Sequence, residues 1–208
     1  MTCLYLHKRW SLVLSFVLHF WHLLPGLGGE GDVSNFFSLD GPKFNESIHL
    51  ALRRPDRIVR MADFAANQER DNDPLVSDFA QTGLFNVLSS EGMRILSSEI
   101  DRLEKFAVES PRIPRVLRGA TFRSRFIYDL CHSKVLANFM SSIAGTELIA
   151  HPMEIMNAHI NLAPKDLTRA IDRWHHDTTP FVLIIFCTPP EEYEGGEFEF
   201  FYGTKAEA

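Results

Sequence analysis

The sequence is poor in cysteine and has no concentrated run of basic residues. Its 208 residues include three cysteines, Cys3, Cys131 and Cys187, which are too widely spaced for a disulfide framework or a CxxC metal site. We therefore expect reduced thiols in a partly buried setting. The formal charge of −6 argues against nucleic acid as the main partner, because phosphate binding needs a concentrated basic surface.

No apolar run reaches the ~20 residues that a membrane-spanning helix needs. The nearest is WSLVLSFVLHFWHLL, residues 10–24, which follows Lys8 and Arg9 and precedes PGLGG. A basic start, an apolar stretch and small residues after a proline are typical of a secretory signal or short anchor. We interpret residues 1–29 in this way, with a spurious extension of the reading frame or a packed helix as alternatives. Membrane contact through residues 10–24 and the compartment, cytoplasmic or secretory, stay open.

The remaining sequence has enough apolar residues, 45% of the chain, for one domain with a core. Residues 30–77 are predicted to hold a linker and two short helices broken at Pro55. A short strand is predicted at TGLFNVL, residues 82–88. Two longer helices follow. One lies within residues 89–107 after a serine cap and has an apolar stripe of Ile95, Leu96, Ile100, Leu103 and Phe106, and the other covers residues 133–144 and stops at Gly145.

The last third of the chain predicts strands. Residues 155–162 alternate, with Asn157, His159 and Asn161 on a polar face that could lie in water or line a cavity. FVLIIFC, residues 181–187, is predicted as a buried strand, and residues 197–203 as another. Because helices come first and strands follow, we expect an α+β domain around a mainly antiparallel sheet.

Five arginines lie close together in SPRIPRVLRGATFRSRF, residues 110–126. Two interpretations stay open, a solvated loop and strand face or a docking site for an anionic substrate or co-substrate. They are Arg112, Arg115, Arg118, Arg123 and Arg125.

The stretch DRWHHDTTPF, residues 172–181, contains a candidate metal site. His175 and Asp177 are two residues apart, so on a strand both side chains face the same side. Imidazole and carboxylate supply two of the three ligands in the facial triad of non-haem Fe(II) enzymes. Without further context, a hydrogen-bonded structural pair explains the same spacing.

The context is the long motif IDRWHHDTTPFVLIIFCTPPEEYEGGEFEFFYGTKAEA, together with HPMEIMNAHINLAP upstream. With TGLFNVLSSEGMRIL, these segments make residues 78–208 resemble the Fe(II)/2-oxoglutarate-dependent oxygenases, nearest to the branch of free-amino-acid hydroxylases and halogenases. The resemblance implies a double-stranded β-helix, a jelly-roll or cupin-like barrel preceded by helices. It also implies that His175 and Asp177 bind Fe(II) and that Asn157 and Asn161 line the 2-oxoglutarate pocket.

The same resemblance implies a hydroxylase that acts on a small molecule, such as an amino acid or a specialised metabolite. Halogenases of this branch replace the aspartate with a small residue to admit chloride, and this sequence keeps Asp177. The oligomeric state stays open.

The sequence departs from the family pattern after this motif. The family has a third ligand, a histidine, and an arginine for the 2-oxoglutarate carboxylate, but here no histidine follows His176 and no arginine follows Arg173. The barrel is therefore expected to be incomplete at the C-terminus, with little or no activity. Three explanations stay open: a fragment, a truncated and inactive binding module, or a site completed by His151 or His159.

Overall fold

The computed structural model describes residues 2–5, 15–22, 39–63, 77–166, 172, 175–176, 179–189 and 198–201. In the strands at residues 2–5, 15–22 and 198–201, and at residue 176, it describes the backbone alone. Asp177 lies outside the described residues.

Five α-helices lie in the described part of the chain. They are α1 (Glu46–His49), α2 (Ser90–Leu103), α3 (Arg125–Cys131), α4 (Lys134–Ala144) and α5 (Glu154–Asn157). Short 3-10 turns lie at Met61–Asp63, Glu104–Phe106 and Ala120–Phe122. None of the helices described is long and apolar enough to cross a membrane.

The two longest helices begin where the sequence predicts, and α4 also ends there, whereas α2 ends at Leu103 and a 3-10 turn takes the place of its predicted last turn. Ser89 caps α2, its hydroxyl accepting a 3.0 Å hydrogen bond from the Gly92 amide, and Ser133 caps α4 in the same way. Helix α4 stops at Gly145, whose φ of 72° is left-handed and suits a residue without Cβ. These local signals confirm both predicted helices.

Ten strands are described. They are β1 (Thr2–Tyr5), β2 (Ser15–His22), β3 (Ile58–Arg60), β4 (Phe79–Thr82), β5 (Val116–Arg118), β6 (Leu148–Ala150), β7 (Ala158–Asn161), β8 (His175–His176), β9 (Phe181–Phe186) and β10 (Phe198–Phe201).

These strands form three antiparallel sheets. The largest has the order β5-β7-β2-β6, and β9 pairs with the opposite edge of β2. A second sheet has the order β10-β1-β8, and a two-stranded sheet joins β3 to β4. Among the described strands no closed barrel forms, so the α+β class with antiparallel pairing is confirmed and the finer β-helix architecture stays a prediction.

The core lies between the largest sheet and the helices. Its fully buried members come from α2, α3, α4 and the strands β5, β7 and β9. Phe126 is the bulkiest side chain with no exposed surface, and Leu96, Ile100 and Leu103 line the buried face of α2. Phe106, expected on the same stripe, is instead 40% exposed, with the Arg123 guanidinium 4.2 Å from its ring centre.

Three local predictions were wrong. The second helix after Pro55 is replaced by β3 and a 3-10 turn, because residues 58–60 pair with β4. The strand predicted at residues 82–88 lies earlier, at Phe79–Thr82. The strand predicted from residue 155 starts at Ala158, because residues 154–157 close a helical turn, α5.

Candidate metal centre

His175 begins the short strand β8, in the three-stranded sheet. Its side chain is 18% exposed, and its Nδ1 lies 3.9 Å from Oδ2 of Asp172, whose side chain is 3% exposed. A carboxylate behind the ring of a metal-bound histidine orients the imidazole and raises its basicity. Asp172 therefore lies on the side of the ring where a carboxylate supports a metal-ligating histidine, at a separation longer than a direct hydrogen bond.

Asp172 also lies beside the positively charged side chain of Arg112. Its Oδ2 lies 3.3 Å from Nη1 of Arg112, one of the five clustered arginines, so that Arg112 and His175 approach the same carboxylate oxygen. A nearly buried carboxylate needs such compensation, because burial without a partner disfavours its charge. Asp172 thus connects the arginine cluster to the predicted metal ligand.

The other arginines have separate surroundings. Arg115 forms an ion pair with Glu104 and donates to the Ala163 carbonyl, and Arg125 pairs with Asp129 at 2.7 Å. Arg123 lies over Phe106. Most of the five arginines therefore make separate contacts within the chain.

The two asparagines predicted to line the co-substrate pocket are both buried. Asn157 ends α5 with 1% of its surface exposed, and Asn161 ends β7 with 3% exposed. Each Oδ1 atom lacks a hydrogen-bond partner among the described residues. Their burial shows that this polar face does not lie in water, the question that the alternating pattern leaves open.

Asn157 belongs to a polar cluster that the sequence does not predict. Its Nδ2 donates to Glu154 Oε2 at 3.0 Å, and the same oxygen lies 3.2 Å from Nε2 of His132. His132 stacks on the ring of Tyr128 with 4.2 Å between centroids. Glu154 Oε1 is buried and has no hydrogen-bond partner within the described part of the chain.

The electrostatics of this cluster favour the charged pair. Burial alone would lower the pKa of His132, but hydrogen bonds to Glu154 and to the Tyr128 carbonyl outweigh it and raise the pKa. Burial alone would raise the pKa of Glu154, but its hydrogen bond with His132 and other donors leave it lowered. Both shifts point to an imidazolium–carboxylate pair at mildly acidic pH.

The cysteines whose side chains are described behave as buried thiols. Cys131 and Cys187 are free, and burial raises the pKa of both, that of Cys187 to about 12. The partly buried setting expected for the thiols is confirmed at these two residues, and their reduced state stays a prediction.

The histidines proposed as substitutes for the third ligand lie elsewhere. His159 is in β7 of the largest sheet, 8% exposed, and His151 follows β6. Over the side chains described, no group of three His, Cys, Asp or Glu residues is close enough to hold a metal ion.

The chain matches the model of a known protein family. A family model described as Halogenase D matches residues 59–207, which cover β3 to β10 and the HxD motif. No curated protein and no solved structure matches the chain. Since the matched region is well over half of the sequence, the chain belongs to the halogenase D family.

Proposed function

We propose that this domain is a non-haem Fe(II), 2-oxoglutarate-dependent oxygenase of the hydroxylase type, acting on a small molecule such as an amino acid. The observation that carries the proposal is His175, set at the start of a strand, backed by buried Asp172 and followed two residues later by Asp177. Membership of the halogenase D family supports an oxygenase-type reaction.

His175 and Asp177 would hold the metal, and when bound the iron supplies oxidation of the substrate coupled to decarboxylation of 2-oxoglutarate. Asp172, with its Oδ2 3.9 Å from Nδ1 of His175, would favour a proton on Nδ1 and leave Nε2 as the nitrogen that would hold the metal. Asn157 and Asn161 offer buried oxygens that accept hydrogen bonds from a ligand or an ordered water.

Asp177 favours hydroxylation over halogenation. Asp177 would hold the metal through its carboxylate, whereas the halogenases that this chain resembles have a small residue here, which admits chloride. We therefore expect no chlorinated product from the native chain, even with chloride in excess.

The test measures anaerobic Fe(II) binding, then succinate formation from 2-oxoglutarate with a panel of free amino acids. His175→Ala should abolish metal binding and Asp177→Ala should weaken it, while both leave the fold intact. Asp101→Asn, on the exposed face of α2, is the charge-matched control and should behave as the native chain. Metal binding that survives both substitutions contradicts the proposal and favours an inactive binding module.

A further inference from the structure

Two side-chain oxygens of α5 are buried without a hydrogen-bond donor. They are Oε1 of Glu154 and Oδ1 of Asn157, and neither has a partner in the part of the chain that the structure describes. The 3.0 Å hydrogen bond from Asn157 Nδ2 to Glu154 Oε2 uses the other atom of each group and fixes which amide atom is the oxygen. The two unpartnered oxygens therefore belong to one small region, and both need a donor.

The ring of His132 is already used on its two sides. Its Nε2 lies 3.2 Å from Glu154 Oε2, and its Nδ1 lies 2.8 Å from the carbonyl oxygen of Tyr128. Both nitrogens face acceptors, so both contacts are hydrogen bonds only when the imidazole carries two protons. The imidazolium balances the charge of Glu154 through Oε2 and leaves Oε1 without a donor.

Other titratable and charged groups lie around this pair. They are Tyr128, Asp129 and Cys131 of α3, Thr121 of the 3-10 turn at Ala120–Phe122, and Arg118 of β5, which contacts Met156. Asp129 forms an ion pair with Arg125. Cys131 stays a neutral thiol, because burial and the nearby charge of Glu154 raise its pKa. Among these described groups, none donates a hydrogen bond to Glu154 Oε1.

We propose that Glu154 and Asn157 bind a primary ammonium group of a small molecule, in competition with the second proton of His132. An ammonium group brings three N–H donors, no acceptor and one positive charge to two acceptors beside a carboxylate. 2-Oxoglutarate has only acceptor atoms and cannot satisfy these oxygens. The inference deepens the proposed function, on which the identity of the small molecule as substrate rests, by naming the group that is recognised.

The competition follows from charge. Either the imidazolium or the ammonium can neutralise the carboxylate, and holding both cations in a largely buried place costs more than holding one. Ammonium binding therefore lowers the pKa of His132 and releases a proton to solvent. Coupling between two ligands is reciprocal, so the affinity for the amine should rise as pH rises through the pKa of His132.

The test titrates the full 208-residue chain with methylammonium chloride at constant ionic strength, without metal or 2-oxoglutarate. NMR of the His132 ring, assigned with His132→Gln, reports its protonation. Methylammonium should lower the pKa of His132, and its affinity should rise at least roughly fivefold from about pH 5.5 to about pH 8.5. Tetramethylammonium, which has the same charge and no N–H donor, should have neither effect.

Two variants separate the ammonium site from its competitor. Glu154→Gln should abolish methylammonium binding, whereas His132→Gln should bind it with nearly equal affinity at both pH values. Glu91→Gln, in the exposed ion pair with Arg94, is the control for loss of a carboxylate and should behave as the native chain. Tighter binding of glycine than of methylammonium assigns the ammonium group to an amino acid, and weaker binding assigns it to an amine without a carboxylate.

Failure of this site and failure of the proposed function give different results. Methylammonium that leaves the pKa of His132 unchanged and binds no better at the higher pH overturns the site, as do equal effects of tetramethylammonium, and the oxygenase proposal then still stands on Fe(II) binding by His175. A chain that binds methylammonium and no Fe(II) overturns the proposed function alone. The comparison of the two amines on the native chain decides the case in which Glu154→Gln unfolds.

Discussion

Replacing Glu154 by glutamine tests whether the polar cluster beside α5 is held by charge. The amide side chain of Glu154→Gln would keep an oxygen to accept from Asn157, so that the 3.0 Å hydrogen bond can form again. The variant would lose the charge that faces His132 at 3.2 Å. The expected loss of stability therefore comes mainly from the interaction between Glu154 and His132.

The magnitude follows from the exposure of the two partners. Hydrogen bonds to charged groups contribute about 1.5–3 kcal/mol, and exposure reduces this through screening by water. The side chain of Glu154 is 17% exposed and that of His132 is 33% exposed. We expect a loss of about 1.5 kcal/mol in the free energy of unfolding, or roughly 3–6 °C in Tm for a chain of this size.

The directions of the two pKa shifts determine how the stabilisation by this pair changes with pH. The pKa of His132 is raised above 6.5, so its contribution is fully present below that pH and is lost as pH rises through the folded pKa. The pKa of Glu154 is lowered below 4.5, so its contribution is present above that pH and is lost as pH falls through the folded pKa. The pair of Glu154 and His132 therefore stabilises the fold most between pH 4.5 and pH 6.5.

The assay is a double-mutant cycle with Glu154→Gln, His132→Ala and the double variant, unfolded in urea at about pH 5.5 and about pH 8.5. The coupling energy should be large at the lower pH and small at the higher one. The control is a second cycle on the exposed pair of Glu91 and Arg94. Its coupling energy should be too small to resolve at either pH. A coupling energy that is equal or larger at the higher pH refutes the charge-pair explanation.

Gly92→Ala should cost about 3 kcal/mol in urea unfolding, because its new Cβ would lie 2.3 Å from the carbonyl oxygen of His49, whereas Gly83→Ala meets nothing closer than 3.8 Å and should be nearly neutral. Asp172→Asn should weaken anaerobic Fe(II) binding by roughly 10–100-fold with the fold preserved, since the predicted metal-binding histidine loses its carboxylate; unchanged affinity would show that the contact does not orient the ring. Cys187, whose pKa is raised to about 12 by burial, should be alkylated far more slowly in the native chain than in urea, as mass spectrometry would show.

The sequence predicts the helices well because their signals are local. The Ser89 cap, the Leu96–Ile100 stripe and the stop at Gly145 all depend on residues within a few turns. Strands depend on distant partners, and this explains the errors. Residues 58–60 form β3 because β4 pairs with them, which no pattern around Pro55 could indicate.

In the candidate site too, features that depend on nearby residues are predictable from the sequence, and features that depend on distant residues are not. The sequence predicts His175 and Asp177 as metal ligands, from their two-residue spacing and from the family motif around them. The contact between His132 and Glu154 joins two residues far apart in sequence, so no spacing rule reveals it. The role of Asp172 also depends on Arg112, which approaches from another part of the chain.

The N-terminal segment shows why an apolar run alone is ambiguous. Residues 15–22 fit equally well as part of a signal sequence and as an interior strand, because both need continuous apolar side chains. An antiparallel ladder is defined by its register and does not depend on the order of strands along the chain. A strand from the N-terminus can therefore fill the place between β7 and β9.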